Sequence, residues 1–377
     1  MIDSDVMLAD MLKLRVSQDA LVEKLALVAR AVSTRTAVLV LGGVRLRVDH
    51  GRLELAATDM ELSLRAALEA DVDGDGEAVV PGRLLLDIVR SLPASTEISI
   101  EQRSDESVVL LEAGSASYRL HTYSSEDFPR LPDVESVQLH QVDREALLET
   151  IGRVGRSASR DESRPVLTGI LVQFQPGKLV MAATDSYRLA VKETPLQSTL
   201  TDLEAIIPAR ALQELARIAA GADEMQLGVH ENHVVFGIDG AWLTTRRIDG
   251  QFPNYRQLLP EQFEHELQLP REELLDVVRR VALMAQRNSP LRLRFADGEL
   301  TVSAQTQDVG EARESIAAPF AADPMEIGFN ADFLREGLES VDSPTVRVKL
   351  ISPLRPAVLE GESDDYTYLI MPIRLAG

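Results

Sequence analysis

Two aspartates, Asp59 and Asp185, close near-identical segments: Leu53-Glu54-Leu55-Ala56-Ala57-Thr58-Asp59 and Leu179-Val180-Met181-Ala182-Ala183-Thr184-Asp185. A carboxylate pair could serve general acid–base chemistry or glycoside hydrolysis. Such chemistry needs partners, and no His, Lys or Ser recurs at a matching place beside both aspartates. The other use of the pattern is local. An Asp side chain can accept from backbone N–H groups further along and hold a turn between two strands. Asp71-Val72-Asp73-Gly74-Asp75-Gly76 opens like a calcium loop, but Gly82 stands where that loop needs its closing Glu. The flanks read as strand, so a hairpin turn is expected there. There is no Gly-rich phosphate loop, no HExxH and no GxSxG, and the six His have no ligand spacing. With no cysteine, thiolate zinc sites and disulfides are excluded. No catalytic residue, metal or cofactor is expected.

The arginines are the second candidates. Arg153, Arg156 and Arg160 fall at i, i+3 and i+7, on one helix face, with Arg164 just beyond. Arg279, Arg280 and Arg287 lie late in a corresponding helix, and Arg30 and Arg35 late in another. Such cations can contact phosphates, sit on a solvated face, or complement a helix C-terminus. Glu272, Glu273 and Asp276 at the opposite end suit the dipole reading. A net charge of −21 argues against nucleic acid if taken alone, so the placement of the basic residues decides. No run of eighteen apolar residues could cross a membrane. Met1 to Met11 carries three Asp and no basic residue, unlike a secretory leader. A cytoplasmic protein is expected.

The elements that must position these residues recur three times. A worn copy of the Ala-Thr-Asp segment is Leu300-Thr301-Val302-Ser303-Ala304-Gln305. Upstream, Val16-Ser17-Gln18-Asp19-Ala20-Leu21 returns as Val142-Asp143-Arg144-Glu145-Ala146-Leu147 and Leu269-Pro270-Arg271-Glu272-Glu273-Leu274. The period is about 125 residues, which is domain size. In each copy the spacing predicts a helix: Leu21, Leu25, Val28 and Val32; then Leu147, Ile151 and Val154; then Leu274, Val277 and Val281. Strands over Leu179–Ala183 and Arg188–Glu193 follow, joined by the Thr184–Tyr187 turn. A second helix opens at Pro81, Pro208 or Asn330, with proline in the first turn. Linkers are placed near Val134–Gln138 and Glu261–Leu267, giving domains 1–137, 138–265 and 266–377. The apolar tail Tyr366–Leu375 reads as a docked edge strand ended by Pro372, or as part of a partner groove.

Four strings carry a family resemblance: Ala183-Thr184-Asp185-Ser186-Tyr187-Arg188-Leu189-Ala190-Val191, Phe252-Pro253-Asn254-Tyr255-Arg256, Glu326-Ile327-Gly328-Phe329-Asn330 and Met371-Pro372-Ile373-Arg374-Leu375. The chain resembles the beta subunit of bacterial DNA polymerase III, the sliding clamp family, over about Leu12 to Leu375. The resemblance implies an α+β fold of three tandem clamp domains, each a pair of βαβββ units, closed into a ring as a head-to-tail homodimer. It implies a non-catalytic processivity factor that encircles duplex DNA without reading its sequence. Expected partners are a clamp loader, the replicative polymerase and other DNA polymerases, ligase and mismatch-repair proteins, with no membrane. Two other classes stay open: an enzyme on a triplicated scaffold with an inter-domain site, and a repair-dedicated clamp paralogue.

Within that resemblance, DNA contacts are expected at Arg35, Arg83, Arg153, Arg156, Arg160, Arg164 and Arg210. Tyr118 and Leu120 on an edge strand are expected to meet Leu283 of a second copy. A pocket for partner peptides is expected from Leu167, Thr184, Ser186, Tyr187, Arg188, Pro253, Leu258, Asn330, Phe333, Leu354, Pro356, Leu369, Met371, Pro372, Ile373 and Arg374. Leu354 could instead close a core. The sequence departs from the family at Thr36 and Leu39, where prolines are common. It departs again at Gln257, often basic, and at Tyr187, often His. About eleven residues precede the family's usual start.

Overall fold

The computed structural model describes residues 12–375 apart from 34–36, 50, 135, 197–202, 231, 286–288, 307–309 and 364. Arg35 and the first eleven residues lie outside the described residues. The described residues divide into two compact units: Met1–Val142 with Arg217–Arg247, and Asp143–Ala216 with Ile248–Gly377. The middle repeat is therefore shared between units. Its strands at 139–141 and 225–246 extend the first repeat's sheet, and its strands at 169–208 extend the third's.

Each unit holds one eight-stranded sheet and one smaller sheet, five-stranded in the first and four-stranded in the second. Neighbouring strands pair antiparallel throughout. Helices α1 (Gln18–Val28) and α2 (Gly82–Ser91) lie in the first unit; α3 (Arg144–Val154), α4 (Pro165–Thr168), α6 (Arg271–Ala282) and α7 (Ala331–Ser340) in the second, with α5 (Ala209–Ile218) between α4 and α6 in sequence. The expected faces are buried: Leu21, Leu25 and Val28 on α1, Leu147, Ile151 and Val154 on α3, Leu274, Val277 and Val281 on α6. Val32 is buried too, but beyond α1 and a short 3₁₀ turn.

Side-chain caps start three of these helices. Ser17 Oγ accepts from Ala20 N at 3.3 Å, Asp143 Oδ1 from Ala146 N at 3.0 Å, and Asn330 Oδ1 from Phe333 N at 3.0 Å. Pro81 and Pro208 do not sit in first turns. Each is the last residue of a strand, and the helix begins one residue later. Opposite them stand Gly43 and Gly169. A Cβ at Gly43 would meet Val79 at 2.5 Å, and one at Gly169 would meet Ile206 at 2.4 Å, so the strands close up only with glycine there.

Two expectations change. Asp71–Gly74 is a strand, not a turn, paired with Lys13–Arg15, and Asp73 meets Lys13 at 2.9 Å. The tail strand Tyr366–Ile370 is interior rather than at an edge, lying between Arg188–Pro195 and Ala357–Glu360. Burial of Tyr366, Tyr368 and Ile370 rewards that position, and Pro372 falls just outside the ladder. Among the described residues no helix is long and apolar enough to cross a membrane.

Candidate functional site

The two aspartates are turn residues. Asp185 Oδ1 accepts from Tyr187 N at 2.9 Å and Arg188 N at 3.0 Å; Asp59 Oδ1 accepts from Glu61 N at 3.1 Å and Leu62 N at 2.9 Å. Both carboxylates thus do the local work of an Asx turn. Ser186 is held at φ 79°, an αL value that a non-glycine residue keeps only where its surroundings fix it.

This turn forms one wall of a cleft of about 650 Å³ in the second unit. Of the expected pocket residues, Thr184, Ser186, Arg188, Leu258, Leu354, Pro356, Leu369 and Met371 line it. Leu258, Leu354 and Met371 are 52%, 65% and 40% exposed. Leu354 thus opens to the cleft rather than closing a core. Three segments supply these apolar groups, and each is anchored, the Leu354 segment by a turn in which Arg355 N donates to Ser352 O at 3.1 Å. Phe252 and Tyr255 bury beneath the 3₁₀ turn that carries Leu258, ring centroids 6.5 Å apart. Met371 N donates to Tyr187 O at 2.8 Å, and Ile373 N to Gly328 O at 2.8 Å, so both sides of Pro372 are pinned.

Arg188 underlies the cleft. Its side chain is 8% exposed and donates to Asp185 Oδ2 at 3.1 Å, to Glu336 and to the Arg156 carbonyl. Its guanidinium stacks on Phe333 at 4.3 Å. Burial would lower its pKa, but Tyr368 and Glu336 outweigh that and hold it above its ordinary value.

The remaining expected residues lie outside the lining. Leu167 is buried, with Ser159 N donating to its carbonyl at 2.8 Å. Pro253 is exposed, Asn330 caps α7, and Tyr187, Ile373 and Arg374 are exposed near chain segments that line the cleft. Sequence reasoning missed Leu189, Leu259, Pro260, Glu261, Gln262, Ile351 and Arg355, and took Gln257 only as a departure. Most of these sit in irregular segments without periodicity. One signal was present: Pro353-Leu354-Arg355-Pro356 brackets an apolar residue with prolines, which favours an outward loop.

The arginines divide, and they do not share a helix face: α3 ends at Val154, Arg156 sits in the 3₁₀ turn Gly155–Ser157 and Arg160 lies beyond it. Arg153 is 14% exposed and meets Glu149 and Asp342, each at 2.6 Å. Arg156 meets Glu339 at 2.6 Å, and Arg279 meets the same carboxylate at 2.9 Å. Burial would raise Glu339, but Arg279 and Arg156 hold it below the usual carboxylate range. Arg164 bonds Asp161 at 3.1 Å and Ser186 Oγ at 3.0 Å. Arg83 and Arg160 are exposed, with no acidic partner among the described residues; Arg210 is exposed and partnered.

Tyr118 and Leu120 lie on Ala116–His121, one of the two outer strands of the five-stranded sheet, with Leu120 buried and Tyr118 half-buried. Leu283 caps α6 and is 82% exposed. In the same unit Gly310–Ala317 is one of the two outer strands of the four-stranded sheet.

Among the described residues, no three His, Asp or Glu side chains are placed to hold a metal ion.

Comparison with known proteins gives one answer from residue 12 to residue 374. Three models of the DNA polymerase III beta subunit match in order: the N-terminal domain over residues 12–132, the central domain over 141–254 and the C-terminal domain over 256–374. The beta sliding clamp of Streptomyces coelicolor is 34% identical over 380 residues, covering 97% of this chain and 100% of the relative. That of Synechococcus elongatus is 36% identical over 375 residues, with the same coverage. The crystal structure of the C. crescentus beta sliding clamp superposes with a TM-score of 0.91 at 26% identity, over 97% of this chain and 100% of that one.

Proposed function

Because the chain belongs to the DNA polymerase III beta-subunit family, the sliding clamps, we propose that its exposed cleft, its unpaired sheet edges and its free arginines serve partner binding, ring closure and DNA respectively. The protein is a non-catalytic accessory subunit of the polymerase III holoenzyme and acts as a processivity factor in DNA replication. It has the three-domain clamp fold. The domains run 1–137, 138–265 and 266–377. Two copies join head to tail into a ring in the cytoplasm, and duplex DNA passes through it.

The observation that carries the reading is the cleft. Leu258, Leu354 and Met371 are held open to solvent by anchored neighbours rather than collapsed into a core. Such a socket takes the apolar end of an extended peptide, and Met371 supplies a side chain that repacks around different occupants. A glutamine-containing peptide ending in Leu or Phe fits, presented in turn by the clamp loader, the replicative and other polymerases, ligase and mismatch-repair proteins.

Arg83 and Arg160 are the primary phosphate contacts, and Arg210 and Arg164, the latter paired with Asp161, add to them. Arg153 and Arg156 are engaged by acids and contribute less, and Arg35 completes the set from outside the described residues. Contacts to phosphate carry no sequence information and permit sliding. Charge reversal of Arg160 and Arg164 to Glu is expected to weaken duplex binding and to reduce the slope of log affinity against log salt by about 2. An unchanged slope removes this loop from the DNA-facing surface.

At the ring joint, the Ala116–His121 edge of one copy pairs with the Gly310–Ala317 edge of the other, and Leu283 packs near Tyr118. A central apolar anchor at such an interface costs about 2 kcal/mol or more on truncation. Leu283→Asp adds a buried charge and is expected to give monomers by light scattering at micromolar concentration. A dimer that survives this substitution places the joint elsewhere.

A further inference from the structure

The internal repeat duplicates the wall of the cleft as well as the fold. In the first unit Thr58 Oγ1 donates to Leu62 O at 3.0 Å, as Thr184 Oγ1 donates to Arg188 O at 2.6 Å. Met60 N donates to Thr58 Oγ1 at 3.0 Å, as Ser186 N donates to Thr184 Oγ1 at 3.1 Å. Met60 and Ser186 share φ 79°. A cleft of about 380 Å³ opens over this second turn, at the low end of ligand-pocket size. Phe128-Pro129 repeats the Phe252-Pro253 pair that precedes the first cleft, and Pro129-Arg130-Leu131-Pro132 forms one wall.

The duplicate has its own chemistry. Arg130 and Arg246 line it, both exposed and without an acidic partner among the described residues. His230 and His233 line it as well, and among the described residues Glu61 is the single acidic residue in the lining. His233 and Arg246 are cross-strand partners, so their side chains share a face. The apolar part is Met60, 63% exposed, and the partly buried Leu131. A cationic recess is unusual on a chain of net charge −21. It concentrates the attraction for an anionic group that the rest of the surface repels.

We propose that this cleft is a second peptide-binding site, selective for an acidic extended segment. A carboxylate engages Arg130 and Arg246, with imidazole donors beside it, and the neighbouring apolar side chain rests on Met60 and Leu131. A recess with an apolar floor suits alternating acidic and apolar side chains better than a sugar–phosphate backbone. The two clefts thus sort partners by charge, and one copy of the protein can hold two different segments at once.

The test uses the full-length protein and a diazirine-bearing peptide, acetyl-Asp-Leu-Asp-Glu-Phe-Gly, with photo-crosslinks mapped by mass spectrometry. Crosslinks are expected on the 129–132 and 230–246 segments. They are expected to fall at least tenfold in Arg130→Glu/Arg246→Glu and to persist in Leu354→Asp, which disables the first cleft. Both arginines are exposed, and unchanged circular dichroism establishes that the double variant folds. Crosslinks that map only to the first cleft, or that survive the double charge reversal, overturn the proposal. Efficient displacement of the peptide by a ten-residue oligothymidine overturns it in favour of a nucleic-acid site.

Discussion

The Arg188→Met protein is expected to lose about 3–5 kcal/mol of stability, the usual cost of removing one partner from a buried ion pair. The side chain is 8% exposed, and its two carboxylate partners, Asp185 and Glu336, are 13% and 23% exposed. Methionine keeps most of the bulk and an apolar contact with Phe333 but removes the guanidinium and with it every donor. Two carboxylates and the Arg156 carbonyl then lose their counterpart in a site that water reaches poorly. The melting transition of the second unit should fall by on the order of 10 °C. Arg188→Met combined with Glu336→Leu should recover part of this, because replacing both partners avoids the stranded charge. A single variant that melts like the wild type means the network is solvated and adds nothing.

The second large effect is on partner binding. Leu354→Asp together with Met371→Ala is expected to weaken binding of a glutamine-containing, Leu-Phe-ended peptide by roughly 100-fold, about two apolar anchors at 1.4 kcal/mol each. Both side chains are exposed in the free protein, so the fold should be unaffected. Fluorescence anisotropy with the labelled peptide reads the affinity, and light scattering checks that the oligomeric state is unchanged. Native peptide affinity in this double variant excludes the cleft as the socket.

Turn chemistry made much of the fold legible. Thr184–Tyr187 and the segment at Asp59 read as turns because Asp is the residue that closes such loops with its own side chain, and both do so. The amphipathic faces of α1, α3 and α6 were legible for a similar reason, since burial follows the helical period. What joined those pieces was not. Nothing local in the middle repeat says that its strands extend two different sheets, because strand pairing between repeats depends on partners far along the chain. The same holds for Arg153 and Arg156. Their spacing suggests one helix face, but α3 ends at Val154, and of the acids that engage them only Glu149 is local; Asp342 and Glu339 lie 189 and 183 residues away. The apolar tail reads as an edge strand or as part of a groove; burial of Tyr366 and Tyr368 places Tyr366–Ile370 inside the sheet, while Met371 lines the cleft. Leu354 shows the converse: an apolar residue exposed by the prolines around it.

The central claim is that retention on DNA comes from topology rather than affinity. The most direct measurement loads the labelled protein onto a nicked circular duplex with a clamp loader, removes unbound protein, and then linearises the DNA. Here the protein is expected to stay on the closed circle through a salt wash that dissociates ordinary phosphate contacts, and to leave within the time needed to slide off a free end. Blocking both ends with bulky tethers should restore retention. Retention on linear DNA equal to that on circles, or loss from circles in the salt wash, would contradict the account and point to binding at a surface instead of enclosure in a ring.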